Sequence, residues 1–229
     1  MIPWHPSVSI VNNLKSIWAI NKPCDLLSQP NKEGVCSQSI VQASYDFDAE
    51  AYRTDEGKLY LLNRLDSPTS GLVLLCSDAQ ITQQIRTLFK MHAVQKTYYA
   101  IVKGFFPHKK ILWQDLLRKV QKDHFVRTMV QKQAGVIAKT QVELIKTFRW
   151  ENETLSFIRL KPLTGRTHQL RVQCALHHLP IIGDKTYGNF AWNRSAKIHR
   201  LYLHAASIQF SLPNLFFNAE CNFDFSPFI

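Results

Sequence analysis

The hydrophobic pattern of this chain centres on two short apolar runs, Leu59 to Leu62 and Gly71 to Leu75, separated by Asn63-Arg64-Leu65-Asp66-Ser67-Pro68-Thr69-Ser70. Runs of that length bounded by Ser, Pro and Gly read as buried strands rather than helices. If the first strand continues through Asp66, its two-residue period puts Arg64 and Asp66 on one face and Leu65 on the other. A carboxylate and a guanidinium then project together from the end of a core strand. The plainer alternative is a solvated surface pair followed by a turn.

Residues 1–15 carry two prolines and little pattern, and read as a loosely attached lead-in. Ser16 to Ile20 predicts a short strand stopped at Asn21-Lys22-Pro23. The polar stretch 28–58 yields only a short helix around Ser37 to Ser44. Asp78 is a good N-cap for a helix through Met91, with Ile81, Ile85, Leu88 and Phe89 in one apolar stripe. Lys96 to Gly104 predicts a strand with Lys96, Tyr98 and Ala100 on one face. Segments 136–147 and 154–161 predict further strands, and Leu201 to Phe210 and Phe216 to Phe225 predict closing ones. Thr167 is placed to cap a helix ending near His177-His178, with Leu170, Cys174 and His177 on one side and His168 and Arg171 on another. Strands outnumber helices in an irregular order, with no internal repeat or linker, so the expected class is α+β in one domain.

Composition narrows the partner. The 229 residues are 45% hydrophobic and 20% charged, ordinary for a globular protein with a sizeable core. Lys plus Arg is 28 against 17 acids, giving +11. Such a surplus favours nucleic acid or a membrane surface, with solubility alone as the alternative. The basic segment 105–135 holds His108, Lys109, Lys110, Arg118, Lys119, Lys122, His124, Arg127 and Lys132. It reads as a solvated face, with phosphate contact as the second reading. No apolar run approaches a membrane span, and the N-terminus lacks a signal-peptide pattern. Cys24, Cys36, Cys76, Cys174 and Cys221 are scattered without any Cys-x-x-Cys pair. The expectation is a reduced, cytoplasmic protein off the membrane, without a disulfide framework or zinc ribbon.

Several chemistries drop out. There is no glycine-rich phosphate loop, no His-Glu-x-x-His and no Gly-x-Ser-x-Gly elbow. The nine histidines do not fall at metal-ligand spacing, so neither metal nor cofactor is expected. What remains is one acid among arginines, nearby aromatics and a basic surface. That set suits a carboxylate nucleophile acting on an anionic polymer, with a counter-cation beside it. A helix start carrying Arg166, His168 and Arg171 is an anion site for phosphate or carboxylate.

Arg64-Leu65-Asp66-Ser67-Pro68-Thr69-Ser70-Gly71 and Leu163-Thr164-Gly165-Arg166-Thr167-His168-Gln169-Leu170-Arg171-Val172 resemble signature motifs of the RluA-type pseudouridine synthases. Lys96 to Gly104 resembles a third. Asn21-Lys22-Pro23, Gly183-Asp184 with Tyr187-Gly188, and Leu203-His204-Ala205 are weaker marks in the same order, so the resemblance spans residues 16–210. It implies a cofactor-free isomerase that converts specific uridines of structured ribosomal or transfer RNA to pseudouridine. The implied fold is pseudouridine-synthase-like, a central mixed, mostly antiparallel sheet flanked by helices.

By this resemblance Asp66 is the catalytic nucleophile, attacking either the sugar or the base. Tyr98 stacks on the flipped uracil and helps remove the C5 proton, and Arg171 pairs with Asp66. Arg64 supports the flipped nucleotide or takes its place in the stack. Arg166, His168 and Thr69 are further expected substrate contacts. Without the motifs, Tyr98 reads equally well as a core tyrosine and Arg171 as a surface helix arginine.

Asn63 and Gln173 stand where the family commonly has histidine, and residues 214–225 match it poorly. The lead-in is too short for the small N-terminal RNA-binding domain of some members, which leaves a catalytic domain over 16–229, expected to act as a monomer on an RNA stem-loop. Two rivals stay open. A catalytically idle RNA-binding or assembly protein on the same fold would lose nothing with Asp66→Asn. A hydrolase using Asp66 with His168 would shorten RNA or release base.

Overall fold

The apolar runs that flank Asp66 are strands, and strands make up most of what surrounds them. The computed structural model describes residues 1–31, 36–122, 125–130, 135–226 and 228. His124 and Lys132 of the basic segment lie outside the described residues, as do the side chains of Lys122 and Arg127. In chain order the elements are β1 (Ser9–Leu14), β2 (Ile17–Lys22), β3 (Ser44–Asp46), β4 (Ala51–Thr54), β5 (Gly57–Leu61), β6 (Ser70–Cys76), α1 (Ala79–Lys90), β7 (Gln95–Lys103), β8 (Lys110–Lys122), β9 (Phe125–Val130), β10 (Val136–Trp150), β11 (Glu153–Pro162), α2 (Gln169–Leu176), α3 (Phe190–Ser195), β12 (Leu203–Leu212) and β13 (Leu215–Glu220). This is the expected α+β class. Its residues group into two compact units, Met1–Lys96 with Ala205–Phe223 and Thr97–His204 with Asp224–Ile229.

In the first unit β6 is buried along its whole length, which is why it reads as an unbroken apolar run. It pairs antiparallel with β2 and β5. The Asp78 carboxylate accepts the amide hydrogens of Gln80 and Ile81 and so starts α1. The helix lays Ile81, Ile85, Leu88 and Phe89 on a core of Ile17, Leu72, Leu74, Phe210 and Phe217, as its periodicity predicted.

Three local expectations for this unit are corrected. The loose lead-in contains β1, paired with β2, with Val11 and Leu14 against the core. A register shift between Ile10 and Asn12 breaks the two-residue period and hid the strand. The helix expected at Ser37 to Ser44 is only a 3₁₀ turn, Cys36–Gln38. Backbone partners there are distant in sequence, Leu27 to Gln38 and Ile40 and Gln42 to Pro3, so no helical ladder forms. Finally, β5 stops at Leu61, and residues 62–69 form a loop rather than a strand extension. Its alternation survives, with Arg64 exposed, Leu65 buried and Asp66 half-buried.

The second unit holds an antiparallel sheet in the order β7-β11-β10-β8-β9. Its inner face joins Ala100, Val102, Trp113, Val142, Ile158 and Leu160 to Leu170 and Cys174 of α2. The basic segment is the β8–β9 hairpin. Exposed Lys110, Arg118 and Lys119 mask the apolar alternation of β8. Thr167 does not cap α2: the N-cap is His168, in the left-handed region at φ 53° and without a side-chain cap bond. Thr167 instead gives its carbonyl to the Thr128 hydroxyl, and the Gln169 carboxamide oxygen accepts the Arg166 amide. His177 is the C-cap and stacks on Trp113 at 4.3 Å. The last strand ends at Glu220, and Phe225, expected within it, packs on Tyr99 and Phe157 of the second unit.

Gly71 sits where the apolar run begins, at φ +113°, and a Cβ there would stand 2.3 Å from the Ala205 carbonyl oxygen. Gly71→Ala combines a backbone penalty with a clash against backbone, and should lower unfolding free energy by about 3 kcal/mol or more. The shift in urea midpoint at constant m-value measures it.

Candidate active site

Asp66 lies in a loop whose backbone is fastened at almost every step. Asn63 accepts the Leu74 amide at 2.7 Å and donates to the Leu72 carbonyl, tying the loop to β6. The buried Ser28 hydroxyl bonds both the amide and the carbonyl of Leu65. Thr69 donates its amide to the Asp66 carbonyl at 2.9 Å and closes the turn. The Ser67 carbonyl accepts from the Asp25 amide and from Lys22 Nζ. A half-exposed carboxylate is therefore presented on a backbone with little freedom to move.

Lys22 is the unusual group here. It is fully buried, and its ammonium donates to the carbonyls of Pro23, Leu26 and Ser67 at 2.8–2.9 Å. Three donors meet three acceptors on two loops. Burial pushes the amine down to about 8, against the pull of Cys24, Asp25 and Asp66. Arg64 stays exposed, with Nη1 on the Gln29 side-chain oxygen at 3.0 Å. Thr69, expected to touch substrate, is instead 3% exposed, so its service is to the turn.

The second unit carries the basic half of the motif set. Arg171 is 4% exposed, which removes the surface-arginine reading. Its Nε and Nη2 meet the two oxygens of Asp184 at 2.8 Å each, and Nη2 also reaches the Thr186 hydroxyl at 3.0 Å. Asp184 additionally accepts the amides of Thr186 and Tyr187. Burial raises the Asp184 carboxyl, but the Arg171 bond and charge and the two amides outweigh that and hold it below 3.8.

Arg171 lies over the Tyr187 ring, 5.3 Å from its centroid. The Tyr187 hydroxyl accepts the Thr128 amide and is hydrogen-bonded to His168 Nδ1 at 2.9 Å. His168 and Arg171 thus meet the same tyrosine, as their spacing on one helix side required. Arg166 is exposed, with Nε on the Ile137 carbonyl at 3.2 Å. Tyr98 is half-buried against the second unit's core.

Sequence reasoning quoted Lys22, Asp184 and Tyr187 only as weak family marks and gave them no role. The available signal was chemical: a lysine between an apolar strand and a proline, and an acid after a tight glycine turn. Gln173, at the departure from histidine, is fully buried between Thr140 and Asp115, so a neutral amide completes a polar network there. Among the described residues no group of three or more His, Cys, Asp or Glu is placed to hold a metal ion, and no helix is long and apolar enough to cross a membrane.

The sequence pattern of the RNA pseudouridylate synthase family matches residues 16–176, which contain both long motifs. The chain belongs to this family. It is an RNA pseudouridine synthase, an isomerase. The tRNA pseudouridine synthase C of Vibrio cholerae is 31% identical over 90% of this chain and 86% of that protein. Its Yersinia pestis counterpart by name is 34% identical over 90% and 82%. A ribosomal large subunit pseudouridine synthase C of Yersinia pestis is 29% identical over 82% of this chain and 59% of that protein. The human RNA pseudouridylate synthase domain containing 1 shares the fold, with TM-score 0.76 and 21% identity over 96% of this chain and 85% of that one.

In this synthase, Asp184→Asn leaves a buried guanidinium without its counter-charge and should cost roughly 3–5 kcal/mol of stability at neutral pH. The folded-state carboxyl lies below its unfolded value of 3.8, so its contribution is present above about pH 4 and is lost as pH falls further. Denaturant titrations at pH 7 and pH 3 should show the wild-type advantage over Asp184→Asn shrinking on acidification.

Proposed function

We propose that Asp66 is the nucleophile of this synthase and that Arg171, anchored by Asp184, supplies its counter-charge. In the reaction the bond from uracil N1 to ribose C1′ breaks and the base turns. C5 then bonds C1′, the C5 proton leaves, and N1 takes up a proton. Nothing is gained or lost overall. Either C1′ of the sugar or the base is the point of attack. Tyr98 stacks on the uracil and assists loss of the C5 proton. Arg64, Arg166 and His168 hold the flipped nucleotide and its phosphates, and Thr69 acts by shaping the Asp66 turn.

The observation that carries this reading is the fastening of the Asp66 loop within the family's matched region. Asp184 meets the Nε–Nη2 edge of the Arg171 guanidinium with both oxygens and so fixes its orientation. Transfer RNA is the proposed substrate, since two relatives covering 90% of the chain are named for it. Ribosomal RNA is the second reading, favoured by the relative named for the large subunit. The enzyme is placed in the cytoplasm as a monomer acting on a loop of structured RNA, where an unstacked base costs least to flip.

The test is tritium release from tRNA labelled at uridine C5 and prepared from a strain lacking this gene. Wild type should release tritium without shortening the RNA, and Asp66→Asn should be slower by about a thousandfold or more. Arg171→Lys should lower kcat far more than RNA affinity. Undiminished release by Asp66→Asn would overturn the assignment.

A further inference from the structure

The outer face of the second unit's sheet is unlike an ordinary solvated face. Residues directly opposite each other across antiparallel strands share a face. Glu143 on β10 faces Lys110 on β8 and Arg159 on β11. One step along, Gln141 faces Lys161, and one further lies Lys139. On the same side of β8, Arg118 stands opposite Met129. Among the described residues, the stretch of this face from Lys110 to Arg118 and from Arg159 to Lys161 thus carries five cations and one carboxylate, and Glu143 is already engaged by Arg159 at 2.9 Å. Among the described residues, Lys110, Arg118, Lys139 and Lys161 make no ion pair.

The cations are interleaved with apolar side chains that water would normally exclude. Leu112 is 50% exposed, Ile137 45% and Met129 53%. Alternate residues along a strand stand about 7 Å apart, so the charges are spread over the face rather than clustered at one point. At the far end the same face is covered by Phe225, packed on Tyr99 and Phe157. At its margin Arg166 reaches across to the Ile137 carbonyl. The open part is therefore continuous with a residue already assigned to substrate.

We propose that this open face is an RNA-docking surface that carries phosphates of the substrate outside the reacting nucleotide, with Leu112 and Ile137 against ribose and base edges. The inference rests on the chain being an RNA pseudouridine synthase. Uncompensated positive charge selects a polyanion over a protein partner, for which an apolar patch would be matched by mixed charge.

The test uses the full chain and unmodified tRNA from a strain lacking the enzyme. Arg118→Gln, Lys139→Gln and Lys161→Gln are combined, and affinity is measured across a salt series. The triple variant should bind about tenfold or more weakly at low salt, and the slope of log affinity against log salt should fall by about 2 to 3. KM should rise with kcat held. Arg118→Glu with Lys161→Glu should weaken binding further, and an unchanged urea midpoint for either variant excludes misfolding as the cause. Wild-type affinity and slope in both variants would overturn the proposal while leaving the Asp66-dependent isomerase intact. Altered sedimentation of the protein alone with RNA affinity retained would also overturn it, assigning the face to self-association.

Discussion

Burying an arginine requires an anion in the same geometry, and much of the second unit follows from how Asp184 meets that need for Arg171. The guanidinium is met edge-on by both carboxylate oxygens, and the remaining capacity of Asp184 is filled by the Thr186 and Tyr187 amides. The turn that delivers Asp184 needs Gly183, where a Cβ would stand 1.6 Å from the Arg200 carbonyl oxygen. Tyr187, brought in by the same turn, covers the guanidinium and hands its hydroxyl to His168 and Thr128. One ion pair thereby fixes the start of α2, the loop after it and one strand of the basic hairpin.

The first unit presents the complementary problem, a buried cation with no paired carboxylate among the described residues. Burial depresses the pKa of Lys22, while the three carbonyls that accept from its ammonium stitch the loop after β2 to the loop that bears Asp66. A carboxylate side chain left half-exposed on a rigid backbone is what nucleophilic attack requires, because reorganisation at the moment of reaction is then small. Each unit thus holds its buried cation by different means, the first in a backbone cage around Lys22 and the second in the Arg171–Asp184 salt bridge.

The strands around Asp66, the stripe of α1 and the strand at Tyr98 were legible because burial on a regular element leaves a period in the sequence. The failures have specific causes. A bulge at Ile10 to Asn12 erased the period of β1. Exposed Lys110, Arg118 and Lys119 made β8 look like a solvated face, although Trp113 and Leu117 point into the core. Asp66 was read on a strand because exposure still alternates from Arg64 through Leu65 to Asp66, beyond the end of β5 at Leu61. Partners such as Asp184 for Arg171 or Ser28 for Leu65 come from far along the chain, so no local pattern could have named them.

The central claim is that this fold isomerises uridine through Asp66. It is tested most directly by mapping pseudouridine at single-nucleotide resolution in tRNA and ribosomal RNA from cells lacking the gene, complemented with wild type or Asp66→Asn at equal protein levels. The account predicts that wild type restores one or more defined sites, in tRNA by the reading above, and that Asp66→Asn restores none. Restoration by Asp66→Asn, or no site lost on deleting the gene, would contradict it.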